Sequence, residues 1–194
     1  MLALQGDVRE HISALIVCGV EPVSVRRLSE IEEIDALVIP GGESTTIAQL
    51  AEVFGIFEGI KERISEGMPV YGSCAGMILL ANEILDAKQG QKTFGGLDIT
   101  VRRNAFGRQV DSFESDIEFM DGSAQLIRGV FIRAPWVERV GPSVQVLATV
   151  AGHAVAVRSN TLFATSFHPE LTNEHRIHRY FIEEVARPVL EQVK

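Results

Sequence analysis

Met68-Pro69-Val70-Tyr71-Gly72-Ser73-Cys74-Ala75-Gly76-Met77-Ile78-Leu79-Leu80 is a short apolar run, five small residues centred on a cysteine, and a second apolar run. The pattern predicts strand, tight turn and helix. Gly72 and Gly76 flank Cys74 as in the G-x-S-x-G elbow, with sulfur in place of the serine oxygen. Such a turn holds its central residue in a strained conformation at the carboxyl end of a strand, where a Cβ at either flank would meet neighbouring backbone. The helix that follows points free N–H groups and its positive dipole end at Cys74, a setting that suits a thiolate nucleophile. The plain alternative is a buried structural thiol between two incidental glycines. A nucleophile also needs a base and a group to orient that base.

Upstream, strand and helix alternate. Met1 to Leu4 reads as a strand, Gln5-Gly6 as a turn, and Asp7 to Cys18 as a helix with Val8, Ile12, Leu15 and Ile16 on one face. Asp7 is placed to cap that helix. Pro22 to Val25 and Ala36 to Ile39 are further strands, joined by a turn anchored on Ile31 and Ile34. Pro40-Gly41-Gly42-Glu43-Ser44-Thr45-Thr46 is a glycine loop opening a helix, with Ser44 or Thr45 as cap and Ile47, Leu50, Ala51 and Phe54 inward. Phe57, Ile60 and Ile64 mark another helix before the cysteine strand. This order predicts parallel strands with right-handed crossovers.

From Gly95 onward strands dominate: Leu97 to Val101, Ser112 to Phe119, Gly129 to Ile132, Val144 to Val150, His153 to Val157 and Leu162 to Phe167, with Gly152 and Asn160 at turns. A last helix is expected over Asn173 to Val185. The expected fold is therefore α/β: one domain over residues 1–194, an open, mostly parallel central sheet flanked by helices, with additional antiparallel strands in the C-terminal half.

The 194 residues, 46% hydrophobic and 23% charged, suffice for one well-buried core. A net charge of -8 without a long basic run argues against nucleic acid or an anionic membrane as partner. The apolar start is too short for a signal peptide and no apolar span has transmembrane length, so a cytoplasmic location is expected. With only Cys18 and Cys74 present, no disulfide is expected, and Cys18 reads as core.

Ligands of open parallel sheets collect at the carboxyl ends of strands. Three polar stretches follow predicted strands there. His168-Pro169-Glu170 follows Leu162 to Phe167; Pro169 favours an extended His168, and residues two apart then project together, so Glu170 can orient the imidazole as His168 serves Cys74 as base. An ordinary polar turn is the competing reading. Gly41-Gly42 follows Ala36 to Ile39, where the N–H of Gly42, with that of Ala75, would form an oxyanion hole. Phosphate binding is a weaker account, because Walker-type and dinucleotide motifs are both absent. Arg102-Arg103-Asn104-Ala105-Phe106-Gly107-Arg108 is a cationic turn suited to a substrate carboxylate, or to surface ion pairs, and Arg133 in Phe131-Ile132-Arg133-Ala134-Pro135 is a similar case. His168, His175 and His178 with Glu170 and Glu174 raise the question of a metal, His175 and His178 sharing a helical face; no Cys-x-x-Cys or His-Glu-x-x-His pattern accompanies them, and no metal is expected. The sequence assigns no partner contact to Asp7, Arg9 and His11, just past the first strand.

With these stretches in hand, the chain resembles the class I (triad-type) glutamine amidotransferases, and within them the glutaminase subunits of pyridoxal 5'-phosphate synthases. Pro40 to Thr46, Gly72 to Gly76, Arg103 to Glu114, Phe131 to Pro135 and Ser166 to Thr172 stand in the family's order, and the resemblance covers essentially the whole chain. Family members usually carry a few more residues before Leu4-Gln5-Gly6, so the first strand is expected to be short. The resemblance implies Cys74, His168 and Glu170 as a catalytic triad, and Gly42, Glu43, Ser44, Arg103, Ile132 and Arg133 as glutamine contacts. It implies glutamine hydrolysis without a cofactor, and a (β/α)8-barrel pyridoxal 5'-phosphate synthase subunit as the partner that receives the ammonia and switches on the glutaminase by ordering Gly41-Gly42. Two rival readings are a stand-alone gamma-glutamyl hydrolase and a non-catalytic regulatory subunit that binds an amino acid.

Overall fold

A computed structural model of the chain describes residues 1–103, 105 and 112–192. Three short parallel strands form its middle. β1 (Leu37–Ile39) pairs with β2 (Val70–Ser73), which pairs on its other side with β10 (Leu162–Thr165), in register Leu37 to Val70 to Leu162. Alternation along these strands divides the core. Leu37, Ile39 and Val70 face one apolar cluster, while Val38, Tyr71 and Phe163 face a second on the opposite side. A sheet buried on both faces needs apolar side chains at successive positions, which is why these strands read as continuous runs.

Beyond β10 the sheet turns antiparallel through β9 (His153–Ser159) and β7 (Trp136–Val140) to β4 (Leu97–Arg102), and β3 (Ala81–Leu85) closes that edge parallel to β4. β8 (Gln145–Val150) forms a hairpin with β9, and β5 (Ser112–Ile117) with β6 (Ile127–Ile132) makes a separate two-stranded ribbon. Gly152 and Asn160 sit at the expected turns, with φ of 79° and 46°. The result is the expected α/β fold, its sheet parallel through β1, β2 and β10, antiparallel from β10 to β4, and parallel again between β4 and β3.

Helices α1 (Val8–Val17), α2 (Leu28–Glu32), α3 (Ser44–Val53), α4 (Phe57–Ser65) and α5 (Ala75–Leu80) occupy the N-terminal half. The last helical segment runs as α6 (Arg176–Tyr180), a wider π turn over Phe181–Ala186 and α7 (Arg187–Gln192). It therefore starts later and reaches further than the apolar spacing predicts.

Several expectations are corrected. The first two strands reduce to one bridge between Leu2 and Val25, with the Leu2 N–H donating to the Val38 carbonyl at 2.9 Å. Residues 28–32 form a helix rather than a turn, and Ala81–Leu85 and Trp136–Val140 are unforeseen strands. Ile16 and Phe54, expected inward, are 59% and 57% exposed, Ile16 in the last turn of α1 and Phe54 at the C-cap of α3. Cys18 is half-buried rather than core. The cap of α3 is Glu43, whose carboxylate accepts from the Thr46 N–H at 2.7 Å, and not Ser44 or Thr45.

The elbow forms as its small residues require. Cys74 sits between β2 and α5 at φ 48°, ψ -96°, a conformation costing an L-residue about 1–3 kcal/mol. Its N–H donates to the Thr165 carbonyl of β10 at 2.8 Å, pinning the turn to the neighbouring strand. A Cβ at Gly72 would lie 2.5 Å from the Gly76 carbonyl carbon, and one at Gly76 would lie 2.5 Å from the Ile39 oxygen. Both neighbours are backbone and cannot yield cheaply. Gly76→Ala is therefore expected to destabilise the protein by about 1–3 kcal/mol and to lower its melting temperature by several degrees. Gly59→Ala in α4, whose added carbon meets only the movable Leu28 side chain, is expected to leave it unchanged or raised. Thermal denaturation compares the two, and equal melting temperatures would contradict the account.

Candidate active site

β2 and β10 are neighbours, so the residues that follow them emerge side by side. Cys74 follows β2, and His168 lies three residues past β10 with its N–H held by the Val130 carbonyl of β6 at 2.8 Å. Pro169 then opens a single helical turn that returns Glu170 beneath the imidazole. His168 Nδ1 stands 2.7 Å from Glu170 Oε1, and all three side chains are buried. The Nδ1–H donates to the carboxylate, which leaves Nε2 for the sulfur.

The surrounding charges reinforce this arrangement. Burial works against a charged ring, yet hydrogen bonding to Asp7, Cys74 and Glu170 outweighs it and pushes the pKa of His168 up to about 12. Burial likewise opposes the Glu170 anion, but His11 and His168 hold its carboxyl well below the usual carboxylate range. The site can therefore keep an imidazolium beside a sulfur, its proton ready for a leaving group.

The Gly41-Gly42 loop closes over the ring. A Cβ at Gly41 would lie 2.3 Å from His168 Cε1, so the backbone rests directly on the imidazole and any side chain would displace it. Gln5 braces this loop, its Oε1 accepting from the Glu43 N–H at 2.8 Å. Asp7, expected to cap α1, makes no cap hydrogen bond; its carboxylate lies 3.3 Å from His168 Nδ1. Ala75 is the buried first residue of α5, and Gly42 has φ 150° in the loop beside His168.

Of the remaining predicted residues, Glu43, Ser44 and Arg103 meet in a second cluster. Glu43 Oε1 pairs with the Arg103 guanidinium at 3.0 Å and the Lys88 ammonium at 3.2 Å. Burial opposes the Glu43 anion, but bonds from Thr46 and Lys88 lower its pKa to about 2. Gln91 bridges Arg103 and Ser44, accepting from the guanidinium and donating to Ser44 Oγ at 2.9 Å. Ile132 ends β6 with its carbonyl 4.0 Å from Cys74 Sγ, and Arg133 beside it is exposed at φ 43°. Asn104, Phe106 and Arg108 of the cationic turn lie outside the described residues.

The suspected histidine cluster is not brought together. His175 precedes α6, whereas His178 is fully buried against His11. Among the described residues, Asp7, His168 and Glu170 are the one group close enough to share an ion, and its imidazole nitrogen already donates to a carboxylate. The sequence reading assigns no site role to Gln5, Ser73, Lys88 and Gln91, and names Asp7 and His11 without their contacts to His168 and Glu170; the i, i+4 spacing of those two behind the first strand was the available signal.

A family model described as the SNO glutamine amidotransferase family matches residues 1–187. The chain belongs to that family. Among curated family relatives, the Mycolicibacterium vanbaalenii protein named pyridoxal 5'-phosphate synthase subunit PdxT is 58% identical over 189 residues, covering 96% of each chain. A protein of the same name from Streptomyces coelicolor is 56% identical, covering 95% of this chain and 92% of its own. A crystal structure titled as a glutamine amidotransferase superposes with TM-score 0.88 at 48% identity, covering 95% of this chain and 96% of that one. At 16% identity, PurLQS from Thermotoga maritima shares the fold alone, with TM-score 0.64.

The His168 shift carries a pH signature. Its contribution to stability is full below the ordinary imidazole value of 6.5 and is lost as pH climbs toward the raised folded value. That of Glu170 is present above its ordinary 4.5 and lost as pH falls through the depressed value. The melting temperature is therefore expected to fall more between about pH 6 and about pH 9 in the unsubstituted chain than in His168→Gln. Equal falls would contradict the pairing.

Proposed function

We propose that the chain hydrolyses L-glutamine to L-glutamate and ammonia, and delivers the ammonia to the (β/α)8-barrel subunit of a pyridoxal 5'-phosphate synthase. The observation that carries this reading is the 2.7 Å bond between His168 and Glu170, just past the strand beside the Cys74 elbow, in a chain more than half identical to proteins named as that synthase's subunit PdxT.

Cys74 Sγ attacks the side-chain carbonyl carbon of glutamine. The oxyanion that forms accepts from the N–H groups of Gly42 and Ala75, and His168 passes its proton to the departing nitrogen, which leaves as ammonia. A glutamyl thioester remains. His168, now neutral, draws a proton from water, the hydroxyl attacks the thioester, and glutamate departs as Cys74 recovers its sulfur. Glu170 keeps the imidazole oriented in both halves. Gly42, Glu43, Ser44, Arg103, Ile132 and Arg133 hold the amino-acid end of the substrate, Arg103 taking the α-carboxylate. The chemistry uses neither metal nor cofactor.

Ammonia released into neutral water is largely protonated and no longer nucleophilic, so the product is useful only when passed to a bound neighbour. The whole chain acts as one glutaminase domain in the cytoplasm, with no role for nucleic acid or membrane.

Glutamate formation from glutamine, measured with and without the synthase subunit, tests the reading. Turnover is expected only or mainly in the complex and is expected to fall to background in Cys74→Ala; undiminished turnover in that variant would overturn the proposal. Arg103→Ala is expected to raise KM for glutamine about tenfold or more, the worth of one charge-assisted contact, and an unchanged KM would remove Arg103 from the substrate site.

A further inference from the structure

Behind Glu170 lies a buried pair of histidines that the proposed chemistry does not use. His11 of α1 and His178 of α6 are both fully buried, and their rings meet with His11 Nδ1 2.9 Å from His178 Nε2. The other nitrogen of His11, Nε2, has no hydrogen bond of good geometry and stands 3.4 Å from Glu170 Oε2. The two carboxylate oxygens of Glu170 are thus divided. Oε1 takes the His168 N–H at 2.7 Å, while Oε2 faces His11 and the Ser73 hydroxyl at 3.3 Å.

We propose that His11 is a positioning residue for His168, its Nε2–H fixing the outer oxygen of Glu170 so that the inner oxygen holds the imidazole in line with Cys74. The proposal rests on the glutaminase reading and adds a residue to it.

The network assigns its own protons. Burial drives the pKa of His178 down to about 3, so that ring is neutral and carries one N–H. Among the described residues, His178 Nδ1 has no hydrogen-bond partner. An unpartnered lone pair costs less than an unpartnered buried N–H, so the proton belongs on Nε2, where it donates to His11 Nδ1. His11 Nδ1 is then an acceptor, and the His11 proton sits on Nε2, the nitrogen that stands 3.4 Å from Glu170 Oε2. Donors run in one direction from His178 through His11 to the carboxylate.

Two buried imidazoles are an expensive way to fill a core. Apolar rings would pack there without the desolvation cost, and Tyr71 and Phe181 already line the same cluster. Without His11 the outer oxygen keeps only the 3.3 Å contact of the Ser73 hydroxyl, whose single proton is shared with the Phe167 carbonyl at 3.3 Å, and the carboxylate is held more loosely about its terminal bond. Since the imidazole takes its orientation from Glu170, freedom at the outer oxygen becomes misalignment at the sulfur, and small misplacement of a reacting group is costly in rate.

The test uses His11→Phe, which keeps the ring and removes both nitrogens, and His11→Gln, which returns an N–H donor near the Nε2 position. Both are assayed for glutamine hydrolysis in complex with the synthase subunit, alongside melting temperatures. His11→Phe is expected to lower kcat about tenfold to a hundredfold, the worth of one hydrogen bond to a charged group, with KM within about twofold. His11→Gln is expected to recover most of that loss even if its melting temperature remains low. A His11→Phe kcat within about twofold of the unsubstituted chain, or a His11→Gln variant as slow as His11→Phe, would overturn the proposal. If His11→Phe does not fold, His178→Phe carries the test: removing the donor to His11 Nδ1 is expected to lower kcat several-fold at unchanged KM, and an unchanged kcat would overturn it. The unsubstituted chain's turnover reports on the glutaminase reading itself, and the ratio of variant to unsubstituted kcat reports on His11.

Discussion

A carboxylate taken out of water must be compensated by the groups around it, and the centre of this protein is arranged about one such anion, Glu170. It is 8% exposed, and His168 from its own turn, His11 from α1 and Ser73 from β2 converge on its two oxygens. Removing any one of them would leave a buried charge short of a partner, a larger penalty than loss of a surface ion pair. The anion also raises the proton affinity of the imidazole that the proposed chemistry needs. Stability and function therefore draw on the same contact, and the site is pre-arranged by the folding of the sheet.

Strand order supplies the geometry. β2 and β10 are separated by most of the C-terminal half of the chain, yet they lie side by side in parallel, so the cysteine after one and the histidine after the other share a rim. The bond from the Cys74 N–H to Thr165 ties the elbow to the strand that presents His168. Gly41, arriving from β1 on the other side of β2, lays bare backbone on the imidazole. Three adjacent parallel strands thus contribute the proposed nucleophile, the proposed base and the loop proposed to receive the oxyanion, which is the usual advantage of the carboxyl edge of such a sheet.

Much of this was legible in the sequence because the decisive signals are local. Gly-x-Cys-x-Gly and His-Pro-Glu each encode their own backbone shape, and the apolar runs of β1, β2 and β10 are those of strands covered on both faces. The unforeseen strands lack that signature. Ala81–Leu85 lies at the sheet edge with Asn82 and Glu83 exposed, and Trp136–Val140 carries Glu138 and Arg139, which pair with Arg102 and Asp98 across an open face. Asp7 illustrates a different limit. Its position at a helix start predicts a cap, but a nearby imidazolium is a stronger claim on a carboxylate than a backbone N–H, and that neighbour is 161 residues away in sequence. His11 and His178 were opaque for the same reason, since their meaning depends on each other and on Glu170.

The proposed convergence of sulfur, imidazole and carboxylate on glutamine is tested most directly by mass analysis of the chain, complexed with its synthase subunit, after exposure to an electrophilic glutamine analogue. The account predicts one adduct, on Cys74, with Cys18 unmodified, and suppression of the adduct by excess glutamine. An unmodified Cys74, or labelling that glutamine does not protect, would contradict it.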